Sequence, residues 1–178
     1  MITAMLRKAK FQSTPSGGFS NPLFRFKENG ITIEYTGNLV GDTGILLATG
    51  DTYTAVDNTT LSALTNADDY TKVVTSLCTS FADLFISNQI FNQNIGSWDT
   101  SNVTNYIRMF YNADSFNQDI SNWDVSNATN MDVMFRFNGA FNQDLSSWCV
   151  SQFATEPNGF SANTTAWVLP KPNWGAPC

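Results

Sequence analysis

Apolar residues recur with a period of 25 along the middle of the chain, from position 91 to position 165. Three successive blocks begin FNQNIGSW, FNQDISNW and FNQDLSSW. A fixed period of this length indicates a repeat architecture, in which each repeat buries its apolar face against its neighbours. Within 116–140, an apolar-x-x-apolar-x-apolar-x-x-small order predicts a strand and a turn, and apolar residues at i, i+3 and i+4 then predict a short helix. The strand-and-turn positions are Ile120, Trp123, Val125 and Ala128, and the helix positions are Met131, Met134 and Phe135.

The apolar frame extends beyond these three blocks. The stretch 66–90 keeps it while losing the polar signature, and therefore forms a fourth repeat. Before it, Ile31–Thr36 alternates like a half-buried strand, and Asp57 precedes a short helix as an N-cap. We therefore predict an α/β repeat fold, a short leucine-rich-repeat-like solenoid of about four 25-residue coils with a small β N-terminal cap. The predicted domains are an extended docking arm (1–30), a β cap with a short helix (31–65), the solenoid (66–165) and a C-terminal capping tail (166–178).

Two sets of side chains in the repeats have predictable positions. Trp98, Trp123 and Trp148 occupy inward positions of each repeat, which favours core packing over an aromatic platform for carbohydrate. The Asn and Gln residues of each FNQ corner are expected to form ladders that satisfy the backbone of the turns.

The repeat consensus FNQDI-SNWDVSN-TNM-MF closely resembles the 25-residue repeat of BspA-like leucine-rich-repeat surface proteins, which also occurs in mycoplasma surface lipoproteins. The likeness covers roughly 66–165. It extends to the Ile31–Tyr35 strand with VGDTG at 40–44, and to WCV at 148–150 with PNWGAPC at 172–178. The resemblance implies a non-catalytic, surface-displayed module that binds proteins or host surfaces.

Charge is distributed unevenly along the chain, whose formal net charge is −6. The first 30 residues carry five bases and one acid, and the remainder is strongly acidic. An acidic body argues against nucleic acid as the ligand. The basic residues predicted to serve as docking contacts of the arm are Arg7, Lys8, Lys10, Arg25 and Lys27.

The sequence lacks residues that many catalytic sites and metal sites need. Histidine is absent, which removes the usual general base and metal ligand, and the three cysteines lack the spacing of a zinc site. We predict no enzyme activity, no cofactor and no metal. No apolar run reaches the length of a membrane span. The first residues do not have the pattern of a standard export leader.

The cysteines predict one cross-link. Cys149 replaces the strand aspartate of the earlier repeats and should point outward, where the proline-rich tail ending in Cys178 can fold over it. A Cys149–Cys178 disulfide is the prediction, and two inert thiols are the alternative. Cys78 occupies an inward position and is predicted to be a buried free thiol.

One face of the predicted sheet is polar and is expected to be exposed. Its residues are Ser97, Asp99, Ser101, Asn122, Asp124 and Ser126. A contact surface for protein or glycan is the favoured reading; a paired-carboxylate site for acid/base work or calcium is the alternative, which a flat face without a pocket does not favour.

Two functions follow as expectations. In the first, the chain is an accessory protein of a bacteriophage virion, a decoration or host-contact protein that docks on other virion proteins through residues 1–30 and becomes extracellular after lysis. In the second, it is an adhesin-type protein-binding repeat domain of a bacterial cell surface. In both, the solenoid contacts a host surface protein or glycan.

Overall fold

The structure, a computed structural model, describes residues 18–178. Regular secondary structure is concentrated before residue 75. The predicted strand at 31–36 and the helix after Asp57 are both confirmed, at Ile33–Tyr35 and Asn58–Ser62. The elements are β1 (Phe24–Phe26), β2 (Ile33–Tyr35), β3 (Thr43–Leu46), β4 (Asp51–Ala55), α1 (Asn58–Ser62), a 3₁₀ helix (Tyr70–Lys72) and β5 (Val73–Val74).

The strands form two small sheets. An antiparallel hairpin of β1 and β2 pairs Phe24 with Tyr35 and Phe26 with Ile33. In the second sheet the order is β3-β4-β5, with β3–β4 antiparallel and β4–β5 parallel. Phe24 and Tyr35 are buried in a small hydrophobic core that both sheets share. Arg25 and Glu34 point outward, because successive side chains of a strand alternate between its two faces.

The predicted fold class, an α/β solenoid of four strand-and-helix coils, is wrong. In residues 18–178, helix is limited to the five residues of α1 and the three of the 3₁₀ helix, and both sheets end by Val74. The segments after position 75 consist of turns and isolated bridges, such as the parallel pairs Ser80–Asn105 and Asn105–Asn130.

The direction of the backbone amides explains why the helical spacing of apolar residues does not produce helices. The N–H groups of Phe81, Asp83 and Phe85 donate to carbonyls of the following repeat, at 2.8, 3.0 and 2.9 Å. The amides of Leu84 and Ile86 instead close tight turns, donating to the Phe81 and Asp83 carbonyls three residues earlier. Positive φ angles recur at 83, 108 and 133 and at 87, 112 and 137. A right-handed helix contains no such residues and would direct every amide along its own axis.

The 25-residue repeats nevertheless contact one another in register. Trp98, Trp123 and Trp148 are buried, and successive rings are nearly parallel with centroids 6.3 and 6.5 Å apart. Each indole N–H donates to a carbonyl 28 residues earlier, at 3.0–3.1 Å, so that its burial leaves no unpaired donor. The prediction that these tryptophans belong to the core is confirmed.

The predicted ladders of corner side chains are also confirmed. Asn92 Oδ1 accepts from Asn117 N at 3.0 Å, and Asn117 Oδ1 accepts from Asn142 N at 2.8 Å. Asn142 Oδ1 then accepts from the Val168 and Leu169 amides, at 2.9 and 3.0 Å. The C-terminal segment thus continues the ladder in the place of a further corner.

Candidate binding groove

A groove lies between the β1–β2 hairpin and the first repeats, and we call it the hairpin groove. Two hydrogen bonds hold the hairpin there: Ile33 N donates to the Ser97 carbonyl at 3.0 Å, and Tyr35 N donates to Ser76 Oγ at 2.9 Å. The volume of the groove is about 630 Å³. Its lining residues are Arg25, Phe26, Lys27, Glu28, Asn29, Thr32 and Glu34 from the hairpin side, and Trp98, Asp99, Thr100, Asn122 and Asp124 from the repeats.

Asp99 is the buried polar centre of this contact, with 3% of its surface exposed. Lys27 Nζ donates to Asp99 Oδ1 at 2.6 Å and to Ser101 Oγ at 2.8 Å. Ser76 Oγ donates to Asp99 Oδ2 at 2.7 Å. Burial by itself would raise the pKa of Asp99, but the hydrogen bonds from Lys27, Ser101 and Ser76 outweigh it and hold the pKa below its ordinary value. Asp99 is therefore an ionised anchor for the hairpin.

The hairpin groove is lined by more acidic than basic side chains. Arg25 forms an ion pair with Glu34, and Lys27 lies 4.0 Å from the same carboxylate as well as against Asp99. Glu28 and Asp124 are exposed, and neither forms an ion pair with another residue of the range 18–178. Both cations are thus neutralised within the chain, while two carboxylates face solvent.

The predicted polar face is only partly exposed. Asp124 and Ser126 are exposed, and Ser97, Ser101 and Asn122 are half-buried. The expected exposure is wrong for Asp99, because the hairpin covers it and Lys27 pairs with it. Asp99 also differs from Asp124 in its hydrogen bonds, because the side chains of three residues donate to the Asp99 carboxylate. This disfavours a shared-proton carboxylate pair.

The predicted arm is folded where the structure describes it. Arg25 and Lys27 lie on or directly after β1 and pair with acids of the same chain, so residues 18–30 are part of the domain rather than an extended segment. Arg7, Lys8 and Lys10 lie outside the described residues, and their role in docking stays a prediction. The groove itself was missed. The alternation of Phe24, Arg25 and Phe26 is the sequence signal that indicates a strand there.

The cysteines lie away from the hairpin groove. Cys149 and Cys178 form a disulfide, with 5.3 Å between their Cα atoms, and Cys78 is a buried free thiol. Burial raises the pKa of Cys78 to about 12, with a smaller contribution from the charge of Asp57, so the thiol is unreactive. In the part of the chain that the structure covers, no three His, Cys, Asp or Glu residues cluster as metal ligands would.

Comparison with known proteins gives one match. No curated protein and no solved structure matches the chain. None of the helices formed by residues 18–178 has the length and apolarity needed to cross a bilayer. The family match is compatible with the bacterial cell-surface location and gives no support to a virion location; it does not test the finer likeness to BspA-like repeats. A family model matches residues 53–169, more than half of the chain, and the protein therefore belongs to the family described as "Mycoplasma protein of unknown function, DUF285".

Proposed function

We propose that this chain is a non-catalytic binding module of a bacterial cell surface and that it holds its ligand in the hairpin groove. The observation that carries this proposal is the groove of about 630 Å³, which falls within the size range of ligand sites and combines charged groups of both signs with amides and hydroxyls. Asn122, Asp124 and Asn29 supply hydrogen-bond donors and acceptors for a ligand.

The contacts that hold both walls of the groove support a binding role. One wall is the hairpin, fixed by the buried Lys27–Asp99 pair, and the other is a stack of repeats joined by backbone hydrogen bonds and packed tryptophans. A preformed site loses little conformational entropy when a ligand enters, so more of the contact energy appears as affinity.

A location outside the cytoplasm is supported by two observations. The Cys149–Cys178 disulfide suits an oxidising environment, and the family match is compatible with a bacterial surface. The virion reading of the sequence stays a prediction, and no contact described above favours it. Protease treatment of intact cells of the organism that makes the protein tests the location: cleavage before lysis is expected, and full protection would contradict it.

A filled groove tests the binding function. Asn122 lines the groove and is half-buried, so N122W places an indole in the ligand space. T165W is the matched control, since Thr165 is exposed and lies outside the lining residues. Labelled protein is applied to arrays of immobilised peptides and glycans. We expect binding that N122W lowers at least tenfold and T165W leaves unchanged. Equal binding by all three proteins, or binding by none, would reject the proposal.

A further inference from the structure

One side-chain arrangement occurs at equivalent positions of two neighbouring repeats, 25 residues apart. In the first, Ser101 N and Ser101 Oγ donate to Asp99 Oδ1 at 3.2 and 2.7 Å. In the second, Ser126 N and Ser126 Oγ donate to Asp124 Oδ1 at 3.1 and 2.6 Å. Each hydroxyl that donates to its aspartate keeps lone pairs that can accept a further hydrogen bond. The two Asp–Ser units therefore present the same pair of acceptors.

The first unit is occupied by a ligand that the chain itself supplies. Lys27 Nζ donates to both acceptors, Asp99 Oδ1 at 2.6 Å and Ser101 Oγ at 2.8 Å. Lys27 comes from the hairpin, 72 residues before Asp99, so the contact is a tertiary docking event rather than a local turn. The group bound at the first unit is therefore the ammonium of Lys27.

The second unit is open. Asp124 and Ser126 are exposed, and among residues 18–178 only Ser126 donates to the Asp124 carboxylate. Asp124 lines the same groove as Lys27, beside the hairpin that carries exposed Glu28. The third repeat lacks the unit, because Cys149 takes the aspartate position and is bonded to Cys178.

We propose that Asp124 and Ser126 bind the ammonium of a lysine side chain from a partner polypeptide lying in the hairpin groove. The inference rests on the proposed binding function and names its ligand chemistry. A carboxylate oxygen and a hydroxyl that converge on one point suit the compact charge of an ammonium, whereas a guanidinium favours a planar, two-pronged acceptor. Lys27 opposes this cation little, because Asp99 already neutralises it.

The test is a titration of the ¹⁵N-labelled full chain, followed by NMR, with the peptide acetyl-Gly-Lys-Gly-amide. We expect the backbone amide of Ser126 to shift with peptide concentration. The same peptide acetylated on Nζ should give no shift there. D124N should weaken the binding about tenfold or more, the loss expected when a hydrogen bond between charged groups is replaced by a neutral one.

D144N is the matched control. Asp144 makes the same turn, accepting from Ser146 N at 3.0 Å and from Ser146 Oγ at 2.6 Å, but it does not line the hairpin groove. D144N should bind the lysine peptide as the natural protein does. An equal loss in D144N and D124N would show general attraction to acids and overturn the inference. Unchanged binding by D124N, or equal binding of the acetylated peptide, would overturn it as well.

Two further arms separate the possible outcomes. If the lysine peptide fails while another ligand binds the natural protein and is lost in N122W, the ammonium site is rejected and the proposed function stands. The chain's own Lys8 and Lys10 are a second source of the same chemistry. Tighter peptide binding by a K8Q/K10Q double variant supports the site and identifies these lysines as competitors, and unchanged binding supports a partner polypeptide as the source.

Discussion

Replacing Lys27 by Met should destabilise the protein far more than an ordinary surface charge change. Asp99 keeps 4% of its side chain exposed and Lys27 keeps 27%, so K27M leaves a carboxylate buried without its cation. Breaking a buried ion pair in this way costs roughly 3–5 kcal/mol, and the partial exposure of Lys27 places the expected loss at about 3 kcal/mol. Urea unfolding at pH 7, followed by tryptophan fluorescence, measures the loss.

The pH dependence gives this prediction a second readout. In the natural protein the lowered pKa of Asp99 contributes stability at neutral pH, and this contribution is lost as the pH falls below about 4, the ordinary range of a carboxyl. In K27M, burial is no longer outweighed and the pKa of Asp99 should rise. Its protonation then relieves the unpaired charge. The difference in free energy of unfolding between the two proteins should therefore be largest near pH 7 and should shrink towards pH 4.

R25M is the control for K27M. Arg25 pairs with Glu34 but keeps 65% of its side chain exposed, so its removal should cost less than about 1 kcal/mol. If K27M and R25M unfold at the same urea concentration, or if the K27M difference does not change with pH, Asp99 is not the ionised anchor of the hairpin.

Two further predictions concern the repeats. C178S should lower the free energy of unfolding by about 3–4 kcal/mol, because the disulfide closes a separation of 29 residues, and dithiothreitol should shift the urea midpoint of the natural protein but not of the variant; equal shifts in both would contradict this. V133N should raise the free energy of unfolding by about 1 kcal/mol, since a β-branched residue is strained at φ +52 whereas Asn112 already adopts φ +55, and a lower urea midpoint for V133N would refute the strain.

The sequence predicted which side chains of each repeat are buried, but it did not predict the backbone conformation that joins them. Burial of Trp123 and the Asn117 ladder follow from position within the 25-residue period, which packing preserves. The Cys149–Cys178 pairing follows from the outward position of Cys149 in that period together with a tail that can fold over it. The predicted α/β fold class was wrong because the spacing of apolar residues specifies which side of the chain is buried but not the direction of its backbone amides. Asp83 and Arg108 adopt positive φ angles although neither is a glycine, so the sequence does not indicate these turns.

The groove escaped sequence reasoning for a different reason. Asp99 and Asp124 hold equivalent positions, yet only Asp99 is covered, because a hairpin 72 residues away reaches it and stops short of the next repeat. The hairpin begins inside the predicted arm, where a strand as short as β1 leaves little periodicity to detect. Long-range docking of this kind is not encoded in local pattern.

The most direct test of the binding groove is a crystal structure of the protein with the acetyl-Gly-Lys-Gly-amide peptide. We expect peptide density between the β1–β2 hairpin and the repeats, with the lysine Nζ within hydrogen-bonding distance of Asp124 and Ser126, and no such density in crystals of N122W. Peptide bound elsewhere, with the hairpin groove empty in the natural protein, would contradict it.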